Sequence, residues 1–429
     1  MIARKLYYLW LLRRNCLKSR QELENIQKKK LRRIINHAYN NVPYYKGIFR
    51  ARNLVPDDIR TVADLQKLPV LTRDILQDRF DEVRAIGTDI SKCIIRRTSG
   101  STGRPTSIAV EKKADDYAHA LDFRSMFENG YRFHKKLLEL TDPRHRGPEN
   151  FAQKIGLFKF QMASVYDTTE EIRKKLIDFN PVFLKGYPSL LKNLSYLDYS
   201  NQQLSLEKIY STSELLLKSD RKAIQDSFKA DVIDLYGSVE FPRIAWECEK
   251  HEGYHMDIDS LVIELTDKGI PIDHGRGKMT ITSLYNYAMP LIRYEVGDMA
   301  EINRDQKCSC HRNLPLLKGI YGRWNDRIVL PSGREIPPLI LYNSDVIKGV
   351  KSFKIIQKKK DLFVVVLVKD KDFSKNSYAG FRDTILEACE GEKVRVRFEI
   401  VDSIPRDKSG KFRAVISEVK TSEPKVHKH

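Results

Sequence analysis

At 429 residues the chain is long enough for two or more domains. Its hydrophobic fraction of 41% and aromatic fraction of 10% are globular values, and no stretch approaches the roughly 18 consecutive apolar residues of a membrane span. A net charge of +19 invites an anionic partner without specifying one. Lys28-Lys29-Lys30 with Arg32-Arg33, and Lys358-Lys359-Lys360, match no nucleic-acid-binding module. They read as solvated faces in a protein for which no nucleic-acid partner is expected, the excess charge favouring polyphosphate ligands. Six cysteines in a chain of this size are no disulfide framework, which places the protein in a reducing compartment, the cytoplasm.

Residues Met1 to Arg14 set an apolar run, Leu6 to Leu12, between basic flanks. No small-residue cleavage site follows, so the segment is expected to be an amphipathic helix packed on the domain. Trp10 and its basic neighbours leave membrane-surface contact as the other reading. From Gln21 to Tyr39, Leu23, Ile26, Leu31, Ile34 and Ile35 recur at helical spacing, and Pro43 ends that pattern. Asp57-Asp58 and Thr72-Arg73-Asp74 look like helix starts. Cys93 to Arg96 and Ser107 to Val110 read as two short strands flanking a loop.

Helices over Glu170 to Asp178, Ser189 to Leu197 and Ser219 to Phe228 then alternate with strands at Val182 to Leu184, Ile209 to Thr212 and Val232 to Tyr236. That alternation predicts a parallel, helix-covered sheet. From Leu261 strand follows strand, with turns expected at Asp267-Lys268-Gly269 and Gly275-Arg276-Gly277, as in an antiparallel sheet or small barrel. Strands Phe363 to Val368 and Val394 to Ile400 around a Phe381 to Ala388 helix suggest a compact α+β unit at the end.

Thr98-Ser99-Gly100-Ser101-Thr102-Gly103-Arg104-Pro105-Thr106 is the most informative segment. Its hydroxyls and two glycines can turn O–H and N–H groups onto phosphate oxygens. It is not a P-loop, because the Lys-Ser/Thr after the second glycine is missing and a strand follows. Asp234-Leu235-Tyr236-Gly237-Ser238-Val239-Glu240 ends a strand with an aromatic able to stack on a purine and a carboxylate able to bind Mg²⁺. Arg293-Tyr294-Glu295-Val296-Gly297-Asp298 offers a carboxylate after a tight turn, an acceptor for two ribose hydroxyls. Gly322-Arg323-Trp324-Asn325-Asp326 and Pro405-Arg406-Asp407-Lys408-Ser409-Gly410-Lys411 complete the series.

Five segments in this order resemble the adenylate-forming superfamily, in its phenylacetate-CoA ligase-like branch with relatives from capsular-polysaccharide clusters. Val42-Pro43-Tyr44-Tyr45, Gly186-Tyr187-Pro188-Ser189 and Met289-Pro290-Leu291-Ile292-Arg293-Tyr294 extend the resemblance over nearly the whole chain. It implies an α/β fold with a large N-terminal domain, 1–325, of helix-covered sheets and a strand-rich subdomain, and a small mobile α+β C-terminal domain, 326–429. It also implies roles. The loop Thr98, Ser99, Gly100, Ser101, Thr102, Gly103 and Thr106 would hold the β- and γ-phosphates. Tyr236, with Gly237 and Ser238, would stack on adenine against the Ser213-Glu214 turn. Glu240 would bind Mg²⁺, Asp298 the ribose, and Arg323 would assist at the nucleotide. Asp326 would mark the hinge, and Lys411 would reach the α-phosphate during adenylation.

The implied activity is ATP-dependent activation of a small carboxylic acid as acyl-AMP, then transfer to a thiol. No carrier domain follows Lys411, so CoA or a separate carrier protein is the expected acceptor. Transfer to a hydroxyl, amine or sugar is the alternative, and a basic nucleic-acid- or membrane-binding protein with a decayed nucleotide site is a third. Two positions depart from the family pattern: Val239 stands where a Thr or Ser usually precedes the glutamate, and His311-Arg312 stands in place of Gly-Arg. Cys308-x-Cys310 has tight metal-ligand spacing, and with Cys248, His251 and His255 it suggests structural zinc. The resemblance selects Cys248, His255, Cys308 and Cys310. Tyr117, Phe123, Phe127, Tyr131 and Phe133 read as helix core rather than an aryl pocket.

Overall fold

The structure, a computed structural model, describes residues 2–98, 104–143, 158–267, 269–338, 340–342, 347–407 and 411–419. The chain opens with helices α1 (Ile2–Asn15), α2 (Arg20–Asn41) and α3 (Pro43–Ala51). The start of α2 is fixed by a reciprocal cap, in which Ser19 Oγ accepts from the Glu22 N–H and the Glu22 carboxylate accepts from the Ser19 N–H. Short helices α4 (Arg73–Asp78) and α5 (Phe80–Val83) follow, with Thr72 capping α4. The hairpin β1 (Ile94–Arg97) and β2 (Ser107–Val110) carries the hydroxyl-rich loop and leads into α6 (Lys112–Glu128).

Next come β3 (Leu137–Thr141), β4 (Phe160–Ser164), α7 (Thr169–Phe179), β5 (Phe183–Gly186), α8 (Pro188–Ser195), β6 (Lys208–Thr212), α9 (Lys218–Phe228) and β7 (Asp231–Tyr236). Strands β8 (Ala245–Glu247), β9 (Tyr254–Met256), β10 (Leu261–Asp267), β11 (Ile270–Ile272), β12 (His274–Ser283), β13 (Tyr294–Asn303) and β14 (Leu316–Arg323) follow. The alternating half is parallel, as its pattern predicts, and the strand-rich half antiparallel.

The two halves do not form separate sheets. They join at an antiparallel β7–β8 pair into one sheet of order β11-β10-β12-β13-β14-β9-β8-β7-β6-β5-β3-β4. The turn expected at Gly275-Arg276-Gly277 is also corrected. These residues lie inside β12, opposite Ile302, Glu301 and Ala300 of β13, because pairing along an interior strand outweighs local turn preference.

One hydrophobic cluster packs α1–α3 and α6 against the strand-rich half, and a second lies beneath α7–α9 on the parallel half. The aromatic residues from Tyr117 to Phe133 belong to the first, with Phe127 and Phe133 rings 4.7 Å apart, so they are core. A third cluster, from Ile328 to Val415, is built on β15 (Ile328–Val329), β16 (Glu335–Ile336), β17 (Val350–Lys359), β18 (Leu362–Lys369), α10 (Lys375–Cys389), β19 (Arg395–Ile400) and β20 (Val415–Ser417). Among the described residues no helix is long and apolar enough to cross a membrane.

Candidate active site and metal centre

A cavity of about 590 Å³ opens between the ends of the parallel strands and the C-terminal unit. Thr98, Ser213, Glu214, Tyr236, Gly237, Ser238, Glu240, Asp298, Arg323, Asp326 and Lys411 all line it. Residues far apart in the chain are thus brought to one place by the C-terminal ends of β6 and β7, by β13 and β14, and by the loop before β20. Ser99, Gly100, Ser101, Thr102 and Gly103 lie outside the described residues. Thr106 does not line the cavity. It is fully buried at the base of the loop, where its N–H donates to Thr98 Oγ1 at 2.9 Å and its hydroxyl accepts from Gln77 at 3.0 Å.

Tyr236 ends β7, and its hydroxyl donates to Asp298 Oδ2 at 2.7 Å. A Cβ on Gly237 would stand 2.3 Å from the Pro242 carbonyl oxygen, so only glycine lets residues 237 to 244 double back beside β7. Within that loop Glu240 is buried, and its carboxylate accepts from the Tyr294 hydroxyl at 3.0 Å, with Arg73 3.9 Å away. Ser238 Oγ accepts from the Phe241 N–H at 3.1 Å.

The feature before Asp298 is not a turn. Gly297, at φ +86°, sits in a bulge of β13, where the residues between Glu295 and Met299 face a single residue between Lys278 and Thr280 of β12. The bulge aims Asp298 into the cavity opposite Arg323, its cross-strand neighbour on β14. Burial raises the Asp298 carboxyl above the ordinary carboxylate range, with Arg323 and Tyr236 opposing. Burial, with the positive charge of Arg323 nearby, pushes the Lys411 ammonium below its ordinary range, against Glu214, Asp407 and Asp298.

Ser213, at φ +74°, follows β6 and turns Glu214 away from the strand. The Glu214 carboxylate accepts from Ser189 N at 3.1 Å, Ser189 Oγ at 2.5 Å and Phe412 N at 2.6 Å, and Arg406 lies 3.5 Å away. Arg406 also donates to Ser189 Oγ at 2.6 Å. The Glu214 side chain is therefore spent on holding the C-terminal unit, and only the turn itself is left to face a base. Asp326, in the short turn after β14, pairs with Arg413 at 3.1 Å. Sequence reasoning left out Arg73, Ser189, Arg406, Phe412 and Arg413; the motifs containing Ser189 and Arg406 were visible, but not their pairing.

Cys248 after β8, His255 on β9, and Cys308 and Cys310 in the loop before β14 place their donor atoms within 4.8 Å of one another. Cys248 and Cys308 sulfurs are 3.6 Å apart, and Cys310 Sγ is 3.3 Å from His255 Nε2. His251 is not part of this group and instead pairs with Asp231 at 2.9 Å. Although burial opposes it, hydrogen bonding to His255 lowers the Cys310 thiol to about 6. Burial likewise disfavours the charged His255, yet Cys248 and Cys310 raise it to about 9. Three thiols and an imidazole at this spacing fit a tetrahedral Zn²⁺, with His255 Nδ1 3.5 Å from the Leu314 carbonyl to orient the ring. Arg312, next to the departure at His311, donates to the Glu128 carbonyl at 3.0 Å and ties this corner to α6.

Residues 339–418 match the CapK C-terminal domain. Protein CapK of Staphylococcus aureus is 25% identical over 424 residues, covering 94% of this chain and 91% of that protein. Phenylacetate-coenzyme A ligase of Aromatoleum evansii is 27% identical over 327 residues, 73% of each chain. Among solved structures, 2-hydroxyisobutyryl-CoA ligase in its postadenylation state superposes with a TM-score of 0.76 at 18% identity, over 94% of this chain and 90% of that one. The same ligase in its thioesterification state gives 0.63 over 94% and 91%. The chain is thus similar over most of its length to the phenylacetate-CoA ligases and to CapK, and it shares its fold with a solved acid–CoA ligase.

Proposed function

We propose that this chain activates a small carboxylic acid by attack of its carboxylate on the α-phosphate of ATP, releasing pyrophosphate, and then passes the acyl group to the thiol of CoA with release of AMP. The observation that carries this reading is the convergence of Tyr236, Asp298, Glu240, Arg323 and Lys411 on one cavity. A carboxylate approaching a phosphate meets charge repulsion, and the reaction needs fixed cations where negative charge gathers. Lys411 and Arg323 supply them. Asp298 would accept from the ribose hydroxyls, Tyr236 would carry the base, and Thr98 with the loop after it would take the outer phosphates. Glu240 would hold Mg²⁺, which shields the phosphate charge when bound.

Thiol attack needs Lys411 withdrawn and a different face of the C-terminal unit presented, by rotation about Asp326. The Cys248, His255, Cys308 and Cys310 group would hold zinc as a staple between β8, β9 and the loop before β14, away from the chemistry.

A second reading keeps the first step and changes the acceptor. The phenylacetate-CoA ligase matches span about three-quarters of the chain, whereas the CapK match runs through the C-terminal unit. That unit would shape the second half-reaction, so the acyl or adenylyl group could pass instead to a hydroxyl, amine or sugar. Acid-dependent exchange of labelled pyrophosphate into ATP, over a panel of carboxylic acids, tests the first step; no exchange with any acid sinks both readings. Product trapping with and without CoA separates them, because a thioester forms only under the first.

A further inference from the structure

The buried face of α1 is fully engaged. Leu9 and Leu12 are buried, Arg4 pairs with Asp116 of α6, Arg13 with Glu128, and Asn15 donates to Asp259. Its other face is apolar and exposed: Ile2 is 41%, Leu6 44%, Tyr7 57% and Trp10 52% accessible, with Leu17 at 85% just beyond the helix. At 3.6 residues per turn these four helical positions fall within about 140° of the circumference, a sector that also holds Ala3 and ends in Arg13 and Arg14, so they form a stripe and not scattered exposure. Tyr7 stacks on Trp10 with ring centroids 6.1 Å apart, and the Arg14 guanidinium lies 4.8 Å from the Trp10 ring, outside the buried contact.

The surroundings of this stripe are basic. The first 33 residues hold eleven lysines and arginines against two glutamates. Helices α1 and α6 run parallel, since Arg4 meets Asp116 and Arg13 meets Glu128, so the exposed Lys112 and Lys113 stand by the start of the stripe and Arg14 and Lys18 by its end. Lys30 of α2 reaches Tyr117 of α6 at 2.7 Å, and Tyr8 of α1 packs on the same ring at 5.1 Å. Helix α2 itself carries the further exposed cations Lys28, Lys29, Arg32 and Arg33. A tryptophan and a tyrosine on an apolar stripe bordered by cations are the elements of an interfacial helix, with rings at headgroup level and cations among lipid phosphates.

We propose that this face of α1 docks the protein on an anionic phospholipid surface. The stripe lies outside the cavity, so docking would fix where the enzyme stands without altering the nucleotide site. The test is flotation of the full chain with vesicles of phosphatidylcholine alone and of phosphatidylcholine with about one-third phosphatidylglycerol, at low and high salt. Binding about tenfold or more tighter to the anionic vesicles, weakened by salt and accompanied by a blue shift of tryptophan emission, is expected. The Tyr7→Ala, Trp10→Ala double variant should lose at least about tenfold in binding with its circular dichroism and thermal midpoint unchanged, because both rings are exposed. A Lys112→Glu, Lys113→Glu variant should lose the preference for anionic lipid. Absence of binding to the anionic vesicles, or binding unaffected by the Tyr7 and Trp10 change, overturns the proposal. So does concentration-dependent self-association abolished by that change, which would assign the face to a second copy of the chain.

Discussion

Glu214 holds the two units together at one point, and its neutralisation should separate the half-reactions. In Glu214→Gln one oxygen is retained and the other becomes an NH₂, which turns donor against donor at either Ser189 N–H or Phe412 N–H and removes the charge facing Arg406. A hydrogen bond to a charged group contributes about 1.5–3 kcal/mol, so loss of one such bond across the boundary between the units shifts their arrangement by about 10- to 10²-fold. Ser189 belongs to the large part and stays put; Phe412 and Arg406 belong to the part that moves under the proposed two-step reaction, so on that reading the loss falls on the closed arrangement alone. Pyrophosphate exchange should slow by up to that factor. Thioester formation from supplied acyl-adenylate should not slow. Exchange and thioester formation falling equally, with ATP binding unchanged by calorimetry, would refute the latch. Full retention of exchange would show that Glu214 contributes nothing to closure.

Other outcomes follow from the same geometry. Lys411→Ala should slow pyrophosphate exchange by about 10²-fold or more, the scale of a lost transition-state donor, and spare thioester formation from acyl-adenylate. Because burial and Arg323 place the Lys411 ammonium below its ordinary 10.5, adenylation should decline as pH rises through a value below that figure, and a pH–rate profile measures it. Asp298→Asn should weaken ATP binding with the fold intact. In the parent, whose Asp298 carboxyl is raised by burial, ATP affinity measured by calorimetry should fall with decreasing pH before the ordinary carboxylate range is reached. Protein purified without chelator should carry about one zinc per chain, and Cys308→Ser should lower both zinc content and the thermal midpoint; metal-free protein of unchanged midpoint removes the staple.

The elements easiest to read were those whose ends carry local chemistry. The Ser19 and Thr168 caps fix the starts of α2 and α7 through bonds to Glu22 and Glu171, and both helices start within a residue of the Gln21 and Glu170 expected from the sequence. Strands β5, β6 and β7 were legible as short apolar runs between helices. What escaped was set by distant partners. The union of the sheets depends on β8 returning along β7, and the bulge at Gly297 depends on β12 and β14 holding β13 on both sides. Glu214 and Phe412 meet across 198 positions, which no local pattern encodes. The grouping of Cys248, His255, Cys308 and Cys310, in contrast, was legible from cysteine spacing and resemblance together, and it requires only that β8, β9 and β14 be neighbours.

Val239 changes how the site divides its labour. Its side chain lines the cavity where a hydroxyl is usual in the family, and the adjacent Ser238 hydroxyl already accepts from the Phe241 N–H while it closes the loop. Ser238 therefore has its O–H donor to offer, but only from a turn whose backbone is also fixed by the Ser238 N–H donating to the Phe241 carbonyl at 2.9 Å. A hydroxyl held in that turn cannot simply replace one carried by the next residue, because successive side chains of an ordered loop leave in different directions. In the proposed reaction the burden of neutralising charge at the α-phosphate would then fall on the two cations, Arg323 and Lys411. One is fixed by the β13–β14 pairing; the other stands in the cavity beside the contacts of Glu214 with Phe412 and of Asp326 with Arg413. Under the proposed function, closure of the C-terminal unit and assembly of the charge that chemistry requires would be the same event, which would tie the first half-reaction to one arrangement of the chain.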